Sequence, residues 1–237
     1  MTGSGRSMSL IPCSAANSAS TEGGGIHNAL TGSVNVTNSV FFENSARGDN
    51  ATGGGVRNVS GTLTVSNSTF LENVAASGGG ISGAATVKST IADKSFSVDF
   101  LNFIPDVSGA FTSEGFNFIA NRGTATGFGQ PTDQTGTPAA PLDAKFGFFS
   151  IPAAYKNELV IPRCGSPVVD KGTAFSLSGS LTTDLRGVGF PRTIDDPIAP
   201  NADGGDGTDI GAFERGPCPQ LTLNRQYYGR WGRHQSR

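Results

Sequence analysis

Three acids recur at like points in the first hundred residues: Glu43 in Phe41-Phe42-Glu43-Asn44, Glu72 in Phe70-Leu71-Glu72-Asn73, and Asp93 in Ile91-Ala92-Asp93-Lys94. If these segments stack as successive coils, their carboxylates repeat about every 5 Å. At that distance two unit charges repel by roughly 1 kcal/mol in water, and several times more when desolvated. Such a row needs solvent, a basic partner or a bridging cation. Strict alternation would turn it inward beside Phe41, so the row is expected on a corner facing water. Carboxylates one coil apart also suit a retaining glycosidase, and those two coils apart an inverting one. Glu43, Glu72 and Asp93 are therefore the catalytic candidates, with a solvated charge row and a cation or sugar contact as competing readings. Lys94 is the base that accompanies them.

A second set is His27, Arg57 and Ser82, each directly after an aliphatic residue (Ile26, Val56, Ile81) and so expected to point outward. These are the ligand-binding candidates for a glycan; an ordinary polar outer face is the alternative. His27 and His234 are the only histidines, which leaves little for a Ser-His-Asp arrangement and excludes a histidine-rich metal centre.

From Asp195 to Glu214 there are six acids and no base. Within that stretch Gly204-Gly205-Asp206-Gly207-Thr208-Asp209 matches one copy of a glycine-rich calcium nonapeptide, with Asp203, Asp206 and Asp209 as oxygen donors. Such loops bind calcium as tandem copies, so an exposed turn is the alternative. No organic cofactor is expected. On that alternative Asp209 and Glu214 pair with Arg186 or Arg192, and together with Asp170 and Asp184 they form structural ion pairs.

The elements that would position these groups are legible in the glycines. Gly23-Gly24-Gly25, Gly53-Gly54-Gly55 and Gly78-Gly79-Gly80 lie 30 and 25 residues apart (53 − 23, 78 − 53), a period that indicates a solenoid. Aligning the units stacks Ile26, Val56 and Ile81; Val36 and Val65; and Phe41, Phe70 and Ile91. Three short strands per turn then make an all-β fold, a right-handed parallel β-helix with an irregular C-terminal capping region. Asn28 with Asn58, Asn38 with Asn67, and Asn44 with Asn73 are expected as corner ladders, each amide bonding its copy in the next coil. The third coil is shorter, with Gly83 and Lys94 in corner-Asn positions and one residue missing before Ser89. The coils are expected over residues 1–121, the capping region over 122–214, and a basic, flexible tail over 215–237. The chain is expected to start inside a coil, with a truncated N-terminus.

The Gly-Gly-x-Ile and Phe-x-x-Asn motifs of residues 14–94 resemble the polymorphic outer-membrane protein repeat. Gly115-Phe116-Asn117-Phe118-Ile119-Ala120-Asn121, Gly165-Ser166-Pro167-Val168-Val169-Asp170-Lys171-Gly172, Asp184-Leu185-Arg186-Gly187 with Pro191-Arg192, and Asp209-Ile210-Gly211-Ala212-Phe213-Glu214 follow in order. Together they resemble bacterial β-helix proteins of the pectin-lyase-like superfamily with a choice-of-anchor-type C-terminal region. The resemblance implies an exported protein, extracellular or on the bacterial cell surface, serving adhesion, surface architecture or glycan contact without catalysis. A polysaccharide lyase or glycoside hydrolase of that superfamily is the alternative.

Composition agrees with a turn-rich β protein: 34 Gly and 16 Phe in 237 residues, with low charge. The net charge of −2 hides an asymmetry, because five of the 17 Lys and Arg follow Glu214 while all 19 acids precede or include it. Residues 1–214 thus carry 12 basic and 19 acidic groups, which argues against nucleic acid as a partner. No apolar run is long enough to span a bilayer. Oligomeric state is left open. Whether Cys164 and Cys218 are bridged is left open; an exported chain would permit it, leaving Cys13 over.

Overall fold

The computed structural model describes residues 8–9, 13–149 and 159–219. The expected basic tail lies outside them from residue 220 onward, as does most of the N-terminal segment ahead of Cys13. Among the described residues there is no helix; parallel strands stack as a β-solenoid of about 4 turns.

Each complete turn contributes to three sheets. The first stacks Ile26–Asn28, Val56–Asn58, Ile81–Ser82 and Val107–Ser108. The second stacks Met8–Ser9, Ser33–Thr37, Thr62–Ser66, Ala85–Lys88 and Phe111–Ser113. The third runs through Cys13–Ala15, Val40–Phe42, Thr69–Leu71, Ile91–Asp93, Phe118–Ile119 and Gln134–Thr135. Parallel pairing therefore continues past residue 121, to Thr135.

Register follows the aliphatic columns. Ile26 pairs with Val56, and Val56 with Ile81. Val36 pairs with Val65, and Val65 with Val87. Phe41 pairs with Phe70, their rings stacked at 4.7 Å and 9°. These side chains fill one interior column that ends near Ile119 and Ala125. The triplet glycines allow the coils to close. A Cβ on Gly55 would lie 2.5 Å from the Gly80 carbonyl oxygen, and Gly53 holds a left-handed φ of 67°.

One expectation is corrected here. The third-coil partner of Phe70 is Ala92, and Ile91 pairs with Thr69. The stacking offset falls from 25 at Ile81–Val56 (81 − 56) to 22 at Thr86–Thr64 (86 − 64) and stays 22 at Ala92–Phe70. All three lost residues come from the turn after the first sheet, and none is lost before Ser89. The alignment that paired Ile91 with Phe70 was therefore one residue out. Because strands alternate, that slip exchanges faces: Ala92 faces the interior while Ile91 faces the flank.

The third sheet is covered on its outer side as well. Val40, Phe42, Leu71, Ile91 and Phe118 pack against Val168, Ile210 and Ala212 of the C-terminal segment. This explains the Phe-Phe and Phe-Leu doublets, since a strand buried on both faces needs consecutive apolar residues. The segment lies along the side of several coils: Gly211 N donates to Ser89 O, and Ala212 N to Thr69 Oγ1.

Asparagine behaviour divides accordingly. Asn28 Nδ2 donates to Asn58 Oδ1 at 2.8 Å, and Asn44 Nδ2 to Asn73 Oδ1 at 3.2 Å, as a ladder requires. Asn38 and Asn67 share left-handed backbones (φ 53° and 46°), yet their amides turn sideways to the carbonyls of Thr183 and Thr173. That second ladder is corrected to a set of anchors for the flank.

Phe70→Ala removes a fully buried ring from the interior column and is expected to cost about 3–5 kcal/mol. Phe100→Ala, at a half-exposed position, is expected to change stability by less than about 0.5 kcal/mol. Denaturant unfolding of both variants checks the difference.

Candidate functional site

The corner after the third sheet carries a row of non-glycine residues in the left-handed region: Ala16, Glu43, Glu72 and Lys94, with φ of 53°, 54°, 54° and 54°. Glu43 is exposed and Glu72 half-buried, as expected of a water-facing corner. Asp93 does not belong to this row. It pairs with Leu71 and so occupies the flank-facing column, where it is 1% exposed. The row thus reads acid, acid, base.

Two cavities of about 330 Å³ each lie along this corner. Glu43, Glu72, Arg47, Phe96 and Phe100 line one of them. Arg47 Nε donates to Ser45 Oγ at 2.9 Å, and its guanidinium sits 6.0 Å from the Phe100 ring. The other is lined by Asp93, Lys94, Phe103, Asp106, Asn121 and Asp143, among others. Phe96 stands between them, 4.8 Å from Phe103 and 6.4 Å from Phe100 by ring centroids.

The second cavity holds carboxylates of unequal character. Burial, with the nearby charge of Asp106, pushes the Asp93 carboxyl up to about 7, and Lys94 offsets this only in part. Its Oδ2 accepts the Ala144 amide at 3.3 Å. Asp106 is also pushed up by burial, to about 6, although its two oxygens accept the amides of Ser95 and Asn121. Those bonds tie two coils together and commit Asp106 to structure. Partial burial works against ionisation of Asp143, but hydrogen bonds from the Lys145 amide and the Lys94 ammonium hold its carboxyl below the usual range. Lys94 Nζ lies 3.0 Å from Asp143 Oδ1 and 4.0 Å from Asp93 Oδ2, so those two oxygens are at most 7 Å apart. A carboxyl raised to about 7 and one held below the usual range therefore face one small cavity across a lysine.

On the first sheet, His27, Arg57 and Ser82 form one column. Arg57 Nη1 donates to Ser82 Oγ at 3.1 Å, and Glu22 faces both His27 Nε2 (3.4 Å) and Arg57 Nε (3.6 Å). His27 Nε2 and Arg57 Nε lack a hydrogen bond of good geometry, and Glu22 is the acid nearest to both. Ser82 shares that face with Arg57 but is covered, at 2% exposure.

The C-terminal acids and arginines are arranged differently from the expected pairs. The ion pair is Arg186 with Asp184, at 2.6 Å, and the Arg186 guanidinium lies between the rings of Phe190 (4.0 Å) and Phe213 (3.9 Å). Arg192 is fully buried and donates to the backbone carbonyls of Asp209 and Gly211. Glu214 accepts the amides of Ile194 and Asp209, while Asp209 accepts those of Asp170 and Arg215. Burial raises both carboxyls, and the Arg192 charge opposes it. Burial also pushes Asp170 up to about 6, and its Oδ2 accepts the Asp196 amide.

Of the calcium candidates, Asp206 accepts the amides of Ala174 and Thr208, Asp209 is engaged as described, and Asp203 is exposed. Among the described residues no group of three His, Cys, Asp or Glu side chains is arranged to hold a metal ion. No described helix is long and apolar enough to cross a membrane.

Sequence reasoning did not find Asp106, Asp143, Arg47 or the Phe96–Phe103 cluster as site residues. The repeat offered a signal for Asp106 alone: it follows the third-coil loop where Gly55 and Gly80 occur in the coils before, and its oxygen meets Ser95, the stacking partner of Asn73. Asp143 lies where periodicity has ended, and nothing in the sequence points to it.

Compared with protein-family models, curated proteins and solved structures, the chain matches none.

The raised Asp93 carboxyl has a definite pH signature. It contributes stability that is fully present below its unfolded value near 3.8 and is lost as pH rises through about 7. Asp93→Asn is expected to remove a fall of about 2–4 kcal/mol across that window and to stabilise the protein at neutral pH. Urea unfolding of both proteins at several pH values checks it; parallel pH profiles would refute the assignment.

Proposed function

We propose that this solenoid is an exported bacterial surface protein that contacts a glycan, without catalysis, along the Glu43–Glu72–Lys94 corner. The observation that carries the reading is the pair of cavities on one corner, both combining carboxylates and a basic side chain with phenylalanine, two rings in one and one in the other. Such a mixture suits sugars, whose hydroxyls take directed hydrogen bonds while their ring faces lie on apolar surface. A row that follows the coil axis also suits an extended chain better than a compact ligand. The export expectation rests on the motif resemblance to choice-of-anchor β-helix proteins, and the His27–Arg57–Ser82 column offers a further polar face on another sheet.

A glycan array probed with the purified chain tests this. Binding to an extended polysaccharide is expected, weakened at least about tenfold by Glu72→Gln or Phe100→Ala, as loss of one directed contact implies. Binding to no glycan, or binding indifferent to both changes, would contradict it.

A second reading, a glycoside hydrolase or polysaccharide lyase, is favoured by Asp93 and Asp143. A raised carboxyl and a lowered one separated by no more than 7 Å fall within reach of a hydrolytic pair. Reducing-end release and unsaturated-uronate formation from polygalacturonate and neutral glycans measure it. Activity abolished by Asp93→Asn would establish the enzyme, and binding without turnover would leave the non-catalytic reading in place.

A further inference from the structure

Cys164 and Cys218 come from opposite ends of the flanking segment and meet on one guanidinium. Arg215 Nη2 donates to Cys164 Sγ at 2.8 Å and Nη1 to Cys218 Sγ at 2.7 Å. Cys218 and the arginine between the two thiols are held independently of the sulfurs. Cys218 N donates to Asp196 Oδ2, Arg215 Nε to Pro162 O, and Arg215 N to Asp209 Oδ2. Cys164 is exposed and lines a cavity of about 370 Å³, whereas Cys218 is buried.

From this geometry we infer that Cys164 and Cys218 are a disulfide-forming pair, oxidised by a small disulfide that enters at Cys164. In the first step the Cys164 thiolate attacks the small disulfide, forming a mixed disulfide and releasing one thiol. Cys218 then attacks the Cys164 sulfur, the internal S–S bond forms, and the second thiol leaves. Two protein S–H groups are oxidised and one external disulfide is reduced to two thiols, so atoms and electrons balance. The order follows from exposure. Burial pushes the Cys218 thiol up to about 11, and the neighbouring Cys164 and Asp196 add to this, so the buried sulfur acts second.

The bond would close a loop containing the whole flank. Within it lie Thr173 and Thr183, which receive Asn67 and Asn38, and Ala212, which docks on Thr69. Oxidation would therefore fasten the cover over the outer face of the third sheet. Cys13, on the solenoid itself and packed beside Val40 and its neighbours, takes no part.

The test uses the full chain equilibrated with oxidised or reduced glutathione, then denatured, alkylated and analysed by peptide mass. After oxidation a single linked pair of peptides carrying Cys164 and Cys218 is expected, with Cys13 alkylated. In a Cys13→Ser background the oxidised protein should melt about 5–10 °C above the reduced one, and Cys218→Ser should abolish that difference. Full alkylation of Cys164 and Cys218 in folded, oxidant-treated protein would overturn the inference. So would linkage of either to Cys13 in the unaltered chain, or equal melting temperatures in the two redox states.

Discussion

Each inner coil of the described solenoid depends on the one above and below it for backbone hydrogen bonds. A strand such as Val56–Asn58 pairs with Ile26–Asn28 on one side and Ile81–Ser82 on the other, and buried amides without such partners would be costly. Stacking in register therefore constrains everything else. It makes each residue the vertical neighbour of its repeat equivalent, brings Phe41 onto Phe70, and leaves no space for a Cβ where Gly55 passes beneath Gly80. It also fixes which residues share a corner, and so which charges meet.

The candidate site is a consequence of that stacking plus one irregularity. Glu43 and Glu72 fall in one row because their coils are in register, and the third-coil member of the row is a lysine. Asp93, one residue earlier, is carried under the flank, where burial pushes it up to about 7. The same lysine touches Asp143 from the segment that wraps back across the coil. A charge row on the solenoid thus acquires an acid beneath it and a carboxylate above it, with Phe96 and Phe103 dividing the corner into two cavities.

How much of this the residues disclose depends on periodicity. The interior columns at Ile26, Val56 and Ile81, and at Phe41 and Phe70, are readable because strand-forming residues return between glycine triplets. The pairing of Ile91 was misplaced because a shortened coil can lose residues at any corner, and only the turn after the first sheet absorbs the loss. Asn38 and Asn67 look like ladder residues, and their left-handed backbones agree, but a local repeat carries no trace of the C-terminal carbonyls they bond. Beyond Thr135 there is no repeat to align. There the acids and arginines pointed to ion pairs, and nothing in their order disclosed that Arg192 would satisfy carbonyls while Glu214 and Asp209 gather amides. Charges in a buried flank are placed by the backbone groups left over after docking, which composition alone does not specify.

Nuclear Overhauser contacts between selectively labelled phenylalanine rings and neighbouring methyl groups probe the vertical arrangement most directly. The stacked coils require cross-peaks joining Phe41 to Phe70 and Phe70 to Ala92, together with Val36 to Val65 and Val65 to Val87. Contacts from Phe70 to Ile91 in place of Ala92 would contradict the register. A pattern of cross-strand contacts typical of antiparallel hairpins would contradict the solenoid itself.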